Sequence, residues 1–238
     1  MNAGRIRQSA VLCLWIACAG VASAQSDMRG HWSGTLDVPG GSLVMEVDLD
    51  KTANGWIGSI SIPAQGASGL PLDSVSFADG KGSFHIKGAP GDPAFAGTLS
   101  ADGKTLDGQF TQGPGSFPLK FSRSGEAKVV VPKASPAIAA EFLGTWEGTI
   151  QAGPGLRIVL TISNGKSGAE ASLRSPDQGD ARIPVTAVSQ TGSKLNLEVN
   201  AVGGGYAGEI NKEGTQLNGT WTQMGNSISL VLTKVAPH

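Results

Sequence analysis

Beyond Cys18 the sequence of 238 residues contains no cysteine. Cys13 and Cys18 are its two thiols, and both fall in an N-terminal stretch that reads as an export signal. Arg5 and Arg7 supply the positive flank, Ala10 to Val21 an apolar core, and Ala22-Ser23-Ala24 a small-residue cleavage site before Gln25. Residues 1–24 are therefore expected to be removed, leaving a periplasmic or extracellular protein. That product has no disulfide, no thiol nucleophile and no thiolate metal site. Trp15 stands where a lipid-attachment signal ending at Cys18 would carry leucine, which argues against a lipoprotein.

Other things are scarce. Charged residues are 16% and aromatics 5%, with a single tyrosine and a formal net charge of -1. A chain with no basic excess has no electrostatic footprint for nucleic acid. After the signal no apolar run approaches 18 residues, so no transmembrane segment is expected in the mature chain. Of the three histidines, none forms a His-x-His or His-Glu-x-x-His pattern. There is no Gly-x-Ser-x-Gly elbow and no phosphate-binding Gly-x-x-x-x-Gly-Lys-Ser/Thr loop. No catalytic residue, metal ligand or cofactor site is assigned. Asp177 in Ser175-Pro176-Asp177-Gln178-Gly179 reads as a turn residue, because Ala64 replaces it in the first copy of the repeat. Glu46 and Asp48 lie on polar strand faces and read as solvated.

What the chain has in excess is glycine, 35 residues, about twice the ~7% share of an average protein. It also has an internal repeat. Gly30-His31-Trp32-Ser33-Gly34-Thr35-Leu36 returns as Gly144-Thr145-Trp146-Glu147-Gly148-Thr149-Ile150. Pro63, Gln65, Gly66, Leu70 and Pro71 return as Pro176, Gln178, Gly179, Ile183 and Pro184. Leu106, Gly108, Phe110 and Gln112 return as Leu217, Gly219, Trp221 and Gln223. The matches are collinear, with an offset that drifts from 114 to 111. The repeats span 25–123 and 143–238. Between them, 124–142 reads as a linker with a short helix after Ser135-Pro136. Met28 and Phe142 each precede the shared tryptophan by four residues, placed to close the end of their module.

Within each copy apolar residues recur with period two, as in Met45, Val47 and Leu49 or Ile158, Leu160 and Ile162. Turn signals such as Asp79-Gly80 and Asn164-Gly165 separate about eight such segments. In the second copy the segments start near Gly144, Leu156, Ser167, Ala181, Ser193, Gly205, Gln216 and Ser227. An open meander of eight strands exposes two edges, and closure removes them. The expected fold is all-β: two tandem up-and-down antiparallel barrels of lipocalin/avidin-like architecture. A sandwich of immunoglobulin type would carry a Cys…Trp…Cys pattern, and an outer-membrane barrel would carry girdles of tyrosine.

The inward faces carry the candidate site residues. Trp32, Phe95, Phe110, Trp146, Tyr206 and Trp221 share strand faces with Gly34, Gly97, Gly108, Gly148, Gly208 and Gly219. Such glycines either make room for rings or open a cavity, and in a repeat of this size the first reading is favoured. Gln112 and Gln223 keep strand period and point inward at the strand end, while Gln65 and Gln178 lie in a Pro-x-Gln-Gly turn. A buried amide needs partners, so all four are expected to bond loop backbone.

Gly144-x-Trp146-x-Gly148, Ser175-Pro176-Asp177-Gln178-Gly179-x-x-x-Ile183-Pro184, Tyr206-x-Gly208 and Leu217-x-Gly219-Thr220-Trp221-x-Gln223 together resemble a β-rich domain of secreted bacterial proteins. In many of these it precedes an α/β-hydrolase catalytic domain of the serine aminopeptidase kind. The resemblance covers about 90 residues of the second copy and is looser in the first, where Ile62 replaces the serine and Phe110 the tryptophan. It implies an accessory domain. The catalytic residues of those enzymes lie in the hydrolase part, so none is carried over. Three functions stay open: an exported non-catalytic interaction module, a carrier of a small apolar ligand inside the barrels, and an enzyme with an unrecognised site.

Overall fold

The computed structural model describes residues 27–236, except 152 and 181. The export signal and its cleavage site lie outside the described residues. The described residues form strands joined by turns, irregular connections such as 126–139 and single-turn 3-10 helices, so the fold is all-β.

The first copy forms β1 (Gly30–Val38), β2 (Gly41–Thr52), β3 (Gly55–Ile62), β4 (Ala67–Ala78), β5 (Lys81–Ile86), β6 (Ala94–Leu99), β7 (Thr105–Gln112) and β8 (Gly115–Gly125). Each strand pairs with the next, and β8 returns to β1 to close an eight-stranded barrel. Alternation sets the faces. Met45, Val47 and Leu49 are buried while Glu46 and Asp48 face outward. The β4–β5 turn holds Asp79 and Gly80 at positive φ, +52° and +75°, which matches the twist of a tight hairpin.

The second copy forms β9 (Gly144–Ile150), β10 (Leu156–Gly165), β11 (Gly168–Arg174), β12 (Arg182–Pro184), β13 (Ala187–Thr191), β14 (Lys194–Val199), β15 (Gly204–Ile210), β16 (Gln216–Gln223) and β17 (Asn226–Lys234). This is a correction to the eight-stranded expectation. The segment expected near Ala181 is split into β12 and β13, which are the two edges of a curled nine-stranded sheet. The reason lies in what that segment must do. In the first barrel the early part of β4 pairs with β3 at Leu70, and from Leu72 onward it pairs with β5. One strand serves two neighbours in succession. In the second copy the changeover breaks the strand: Val185 N–H donates to Ala171 O at 3.0 Å on one side, and Thr186 N–H to Glu198 O at 2.7 Å on the other.

Each core is closed at one end in the same way. Trp32 and Trp146 are fully buried, and their indole N–H groups donate to Met28 O and Phe142 O, both at 2.9 Å. Met28 and Phe142 are themselves buried, which fits the role expected of them. Over each ring lies a cation from the last strand, Arg123 at 4.4 Å from Trp32 and Lys234 at 5.0 Å from Trp146.

The connecting segment is tied to both units. Lys128 N–H donates to Asp48 Oδ1 at 2.7 Å and Val130 N–H to Ser59 Oγ at 3.0 Å. Asp48, 15% exposed, also meets His31 Nδ1 at 2.9 Å, so it is a strut and not a solvated carboxylate. Further on, Ser135 O accepts from Ala169 N–H, and Ile138 exchanges two hydrogen bonds with the Asn164 amide while packing into the second core. The helix expected after Pro136 is a single 3-10 turn, Ala140–Phe142.

Candidate functional site

The middle of each unit is filled. A β-carbon on Gly219 would lie 2.3 Å from Ala207 O and 2.6 Å from Gly208 Cα, and one on Gly208 would lie 2.4 Å from the Tyr206 hydroxyl oxygen. Gly108 repeats this against Ala96 O at 2.1 Å, and Gly148 against Val231 O at 2.3 Å. Gly97 pairs with Gly108, and Gly208 with Gly219, across neighbouring strands. The aromatic rings occupy the space these glycines leave. Phe95 packs between Phe84 and Phe121 at centroid distances of 5.3 and 5.1 Å. Tyr206 directs its hydroxyl at Leu217 O, 3.0 Å away, and lies 3.3 Å from Leu230 O. Burial pushes that phenol far above its ordinary pKa, so it stays protonated. Trp32 and Trp146 plug the closed end. These four candidates are therefore packing residues.

The other five candidates lie at the opposite ends, Phe110 and Gln112 in the first unit and Gln178, Trp221 and Gln223 in the second. In the second unit a hollow of about 430 Å³ lies between Ile150, Leu156, Gln178, Trp221, Gln223, Met224 and Ile228. In the first unit the equivalent Leu36, Leu43, Gln65, Phe110, Gln112 and Phe117 border a cavity of about 170 Å³. Among the described residues, no charged side chain lines either space.

The glutamines divide. Gln112 Nε2 donates to Pro90 O and Gln223 Nε2 to Val202 O, each at 3.0 Å, so both hold the loop that overhangs the mouth. Gln223 Oε1 also accepts from Trp221 Nε1 at 3.2 Å. Gln112 is nevertheless exposed, and so, contrary to expectation, are Gln65 and Gln178. Their turns are held by backbone instead, with Gly66 and Gly179 in the left-handed conformation at φ +68° and +81°.

The two mouths differ in their covering. The 3-10 turn Asn200–Val202 of the second unit lays Ala201 against the first core, where it lines the first cavity. Gly203 of the same turn approaches Gly66 so closely that a β-carbon there would lie 2.5 Å from Gly66 O. The first mouth is thus capped by its neighbour. Among the described residues the second has no such cap, and Met224 at its rim is 61% exposed. Met224 sits at φ +48°, a backbone region rarely used by long side chains, beside Gly66 of the first unit. Sequence reasoning missed Ala201 and Met224, since both act through packing between the copies.

Asp177 is a turn residue with a partner. The Arg157 backbone N–H donates to its Oδ2 at 2.9 Å, and the Arg157 guanidinium to Oδ1 at 3.1 and 3.0 Å. That main-chain bond first, then the guanidinium, holds the Asp177 carboxyl below its usual range. The first copy has Val44 and Ala64 in these places. Among the described residues, no group of three or more His, Cys, Asp or Glu is placed to hold a metal ion.

No family model matches the chain, and no curated protein does. Among solved structures, a protein of unknown function from the DUF3598 family of Nostoc punctiforme is 14% identical, covering 87% of this chain and 96% of that one at a TM-score of 0.22. Holo-PhuS, a heme-binding protein from Pseudomonas aeruginosa, is 11% identical, covering 88% of this chain and 78% of its own at a TM-score of 0.16. Likenesses at these scores establish no common fold.

Proposed function

We propose that this is an exported, non-catalytic binding protein whose second unit takes an uncharged, mostly apolar small molecule at its open end, a lipocalin-like use of a small barrel. One observation carries the reading. Equivalent residues line both mouths, yet Ala201 caps the first while the second is left open over Trp221, Ile150, Leu156 and Ile228. Binding sites for small molecules are concave and mostly apolar, with a few polar groups for orientation. Here the polar groups are the amides of Gln178, Gln223 and Asn226. An ion would lose its hydration there without a charged partner, so the ligand is neutral.

A second reading, an interaction module acting beside a secreted hydrolase, rests on the sequence resemblance alone. Native mass spectrometry of protein purified from its own host separates the two. A co-purifying small molecule, lost in Trp221→Ala, supports the carrier. A co-purifying protein without any small molecule supports the module.

A further inference from the structure

We propose that Met224 is an oxidation site: hydrogen peroxide converts it to the sulfoxide, and the change releases a clasp between the second unit and the mouth of the first. The inference is independent of what the second mouth binds.

Met224 stands where the first copy has a glycine. The turn after β16 is Met224-Gly225 and the turn after β7 is Gly113-Pro114, each two residues long and each following the mouth glutamine. Gly113 and Met224 adopt nearly the same left-handed φ, +53° and +48°. Glycine takes that conformation freely, whereas a β-carbon is crowded there by the backbone. Five non-glycine residues among those described have positive φ. Three are aspartate and one is serine, short polar side chains that suit turns, and Met224 is the fifth. A long apolar side chain held in such a conformation points to a task for that side chain.

Its contacts show the task. Met224 reaches across to Gly66, in the turn beside the first mouth. A β-carbon on Gly66 would lie 2.7 Å from Met224 Cε and 3.6 Å from its Cγ, the two carbons that the sulfur joins. Met224 N–H also donates to Gly203 O at 3.3 Å, and Gly203 itself abuts Gly66. The three residues form one seam between the units. Yet Met224 is 61% exposed, while the other methionines among the described residues, Met28 and Met45, are 1% and 2% exposed. Oxidation selects the exposed thioether.

In the reaction a sulfur lone pair attacks one peroxide oxygen. The O–O bond breaks, the S–O bond forms and water leaves. Sulfur is oxidised by two electrons and the peroxide is reduced by two. The sulfoxide is polar and accepts hydrogen bonds. In the seam the backbone N–H groups of Gly66, Gly203 and Met224 already donate, to Pro63 O, Asn200 O and Gly203 O. With those donors engaged, the new oxygen turns to water and draws the side chain off Gly66.

The test treats the mature full-length chain with dilute hydrogen peroxide and follows it by peptide mass spectrometry and hydrogen exchange. Met224 should gain one oxygen about tenfold faster than Met28 or Met45, or more. Amide exchange at Gly66 and Gly203 should then quicken severalfold as the seam opens. Met224→Gly, the first unit's residue, removes the clasp and should show the same quickening without peroxide. Met224→Leu keeps an apolar clasp without sulfur, and peroxide should leave its exchange unchanged. Oxidation of Met28 or Met45 as fast as Met224 overturns the site. One oxygen at Met224 with exchange at both glycines unchanged overturns the clasp, as does equal quickening in peroxide-treated Met224→Leu. Exchange in Met224→Gly as slow as in the untreated wild type overturns it too.

Discussion

The Gln223 side chain donates to the carbonyl of Val202 at 3.0 Å, and this bond ties the rim of the second mouth to the turn that caps the first. Ala201, next to Val202, is the residue that reaches into the first cavity. A change in one unit should therefore be felt in the other.

Gln223→Ala is expected to lower stability by about 1 kcal/mol, the net worth of one such bond. Hydrogen exchange should then quicken at residues 200–203 and also at the first mouth, near Gln65 and Ala67. Quickening confined to the second unit would show that Ala201 does not act as a cap.

The inward glycines give opposite signs to packing and entropy. Replacing glycine within a strand by alanine gains roughly 0.5–1 kcal/mol through the backbone. Overpacking costs about 1–3 kcal/mol. At Gly219 the obstacles are backbone atoms, Ala207 O and Gly208 Cα, which cannot turn aside as a flexible side chain can. Gly219→Ala should therefore destabilise, and Gly108→Ala likewise in the first barrel. Urea unfolding of the full chain measures both, and a neutral or stabilising result would mean that the middle of the unit is hollow.

Asp177 gives a pH signature. Its carboxyl is depressed in the folded state. Its contribution is therefore complete above the unfolded value of about 3.9 and is lost as pH falls through the folded value. Both partners are solvent-facing, so the effect is small. Comparing wild type with Asp177→Asn between pH 7 and pH 2 should show a stability difference that shrinks on acidification. A difference constant across that range would remove the Arg157 pairing as its cause.

Much of this was legible in the residues. Alternation in Met45-Val47-Leu49 marked the strands, and the pairing of Trp, Phe and Tyr with inward glycines marked the filled interior. Strand period put Gln112 and Gln223 at the mouths, where both bond loop backbone, although Gln112 is exposed and not the buried amide expected. Gln65 and Gln178 were misjudged because a turn has no strand period to tell inside from outside. The split between β12 and β13 was hidden because a strand's residues do not say at which point it exchanges one neighbour for the other. Ala201 and Met224 were silent for a related reason. Their importance comes from the approach of one unit to the other, as at Gly66 and Gly203.

The most direct measurement is a ¹H–¹⁵N spectrum of the tryptophan indoles during titration with naphthalene, with Trp221→Phe identifying the mouth's own signal. Trp221 borders the open hollow, while Trp32 and Trp146 are sealed at the closed ends. The Trp221 indole should move in a saturable way while those of Trp32 and Trp146 stay still. No shift at Trp221, or a shift of equal size at Trp146, would contradict a binding mouth at the open end of the second unit.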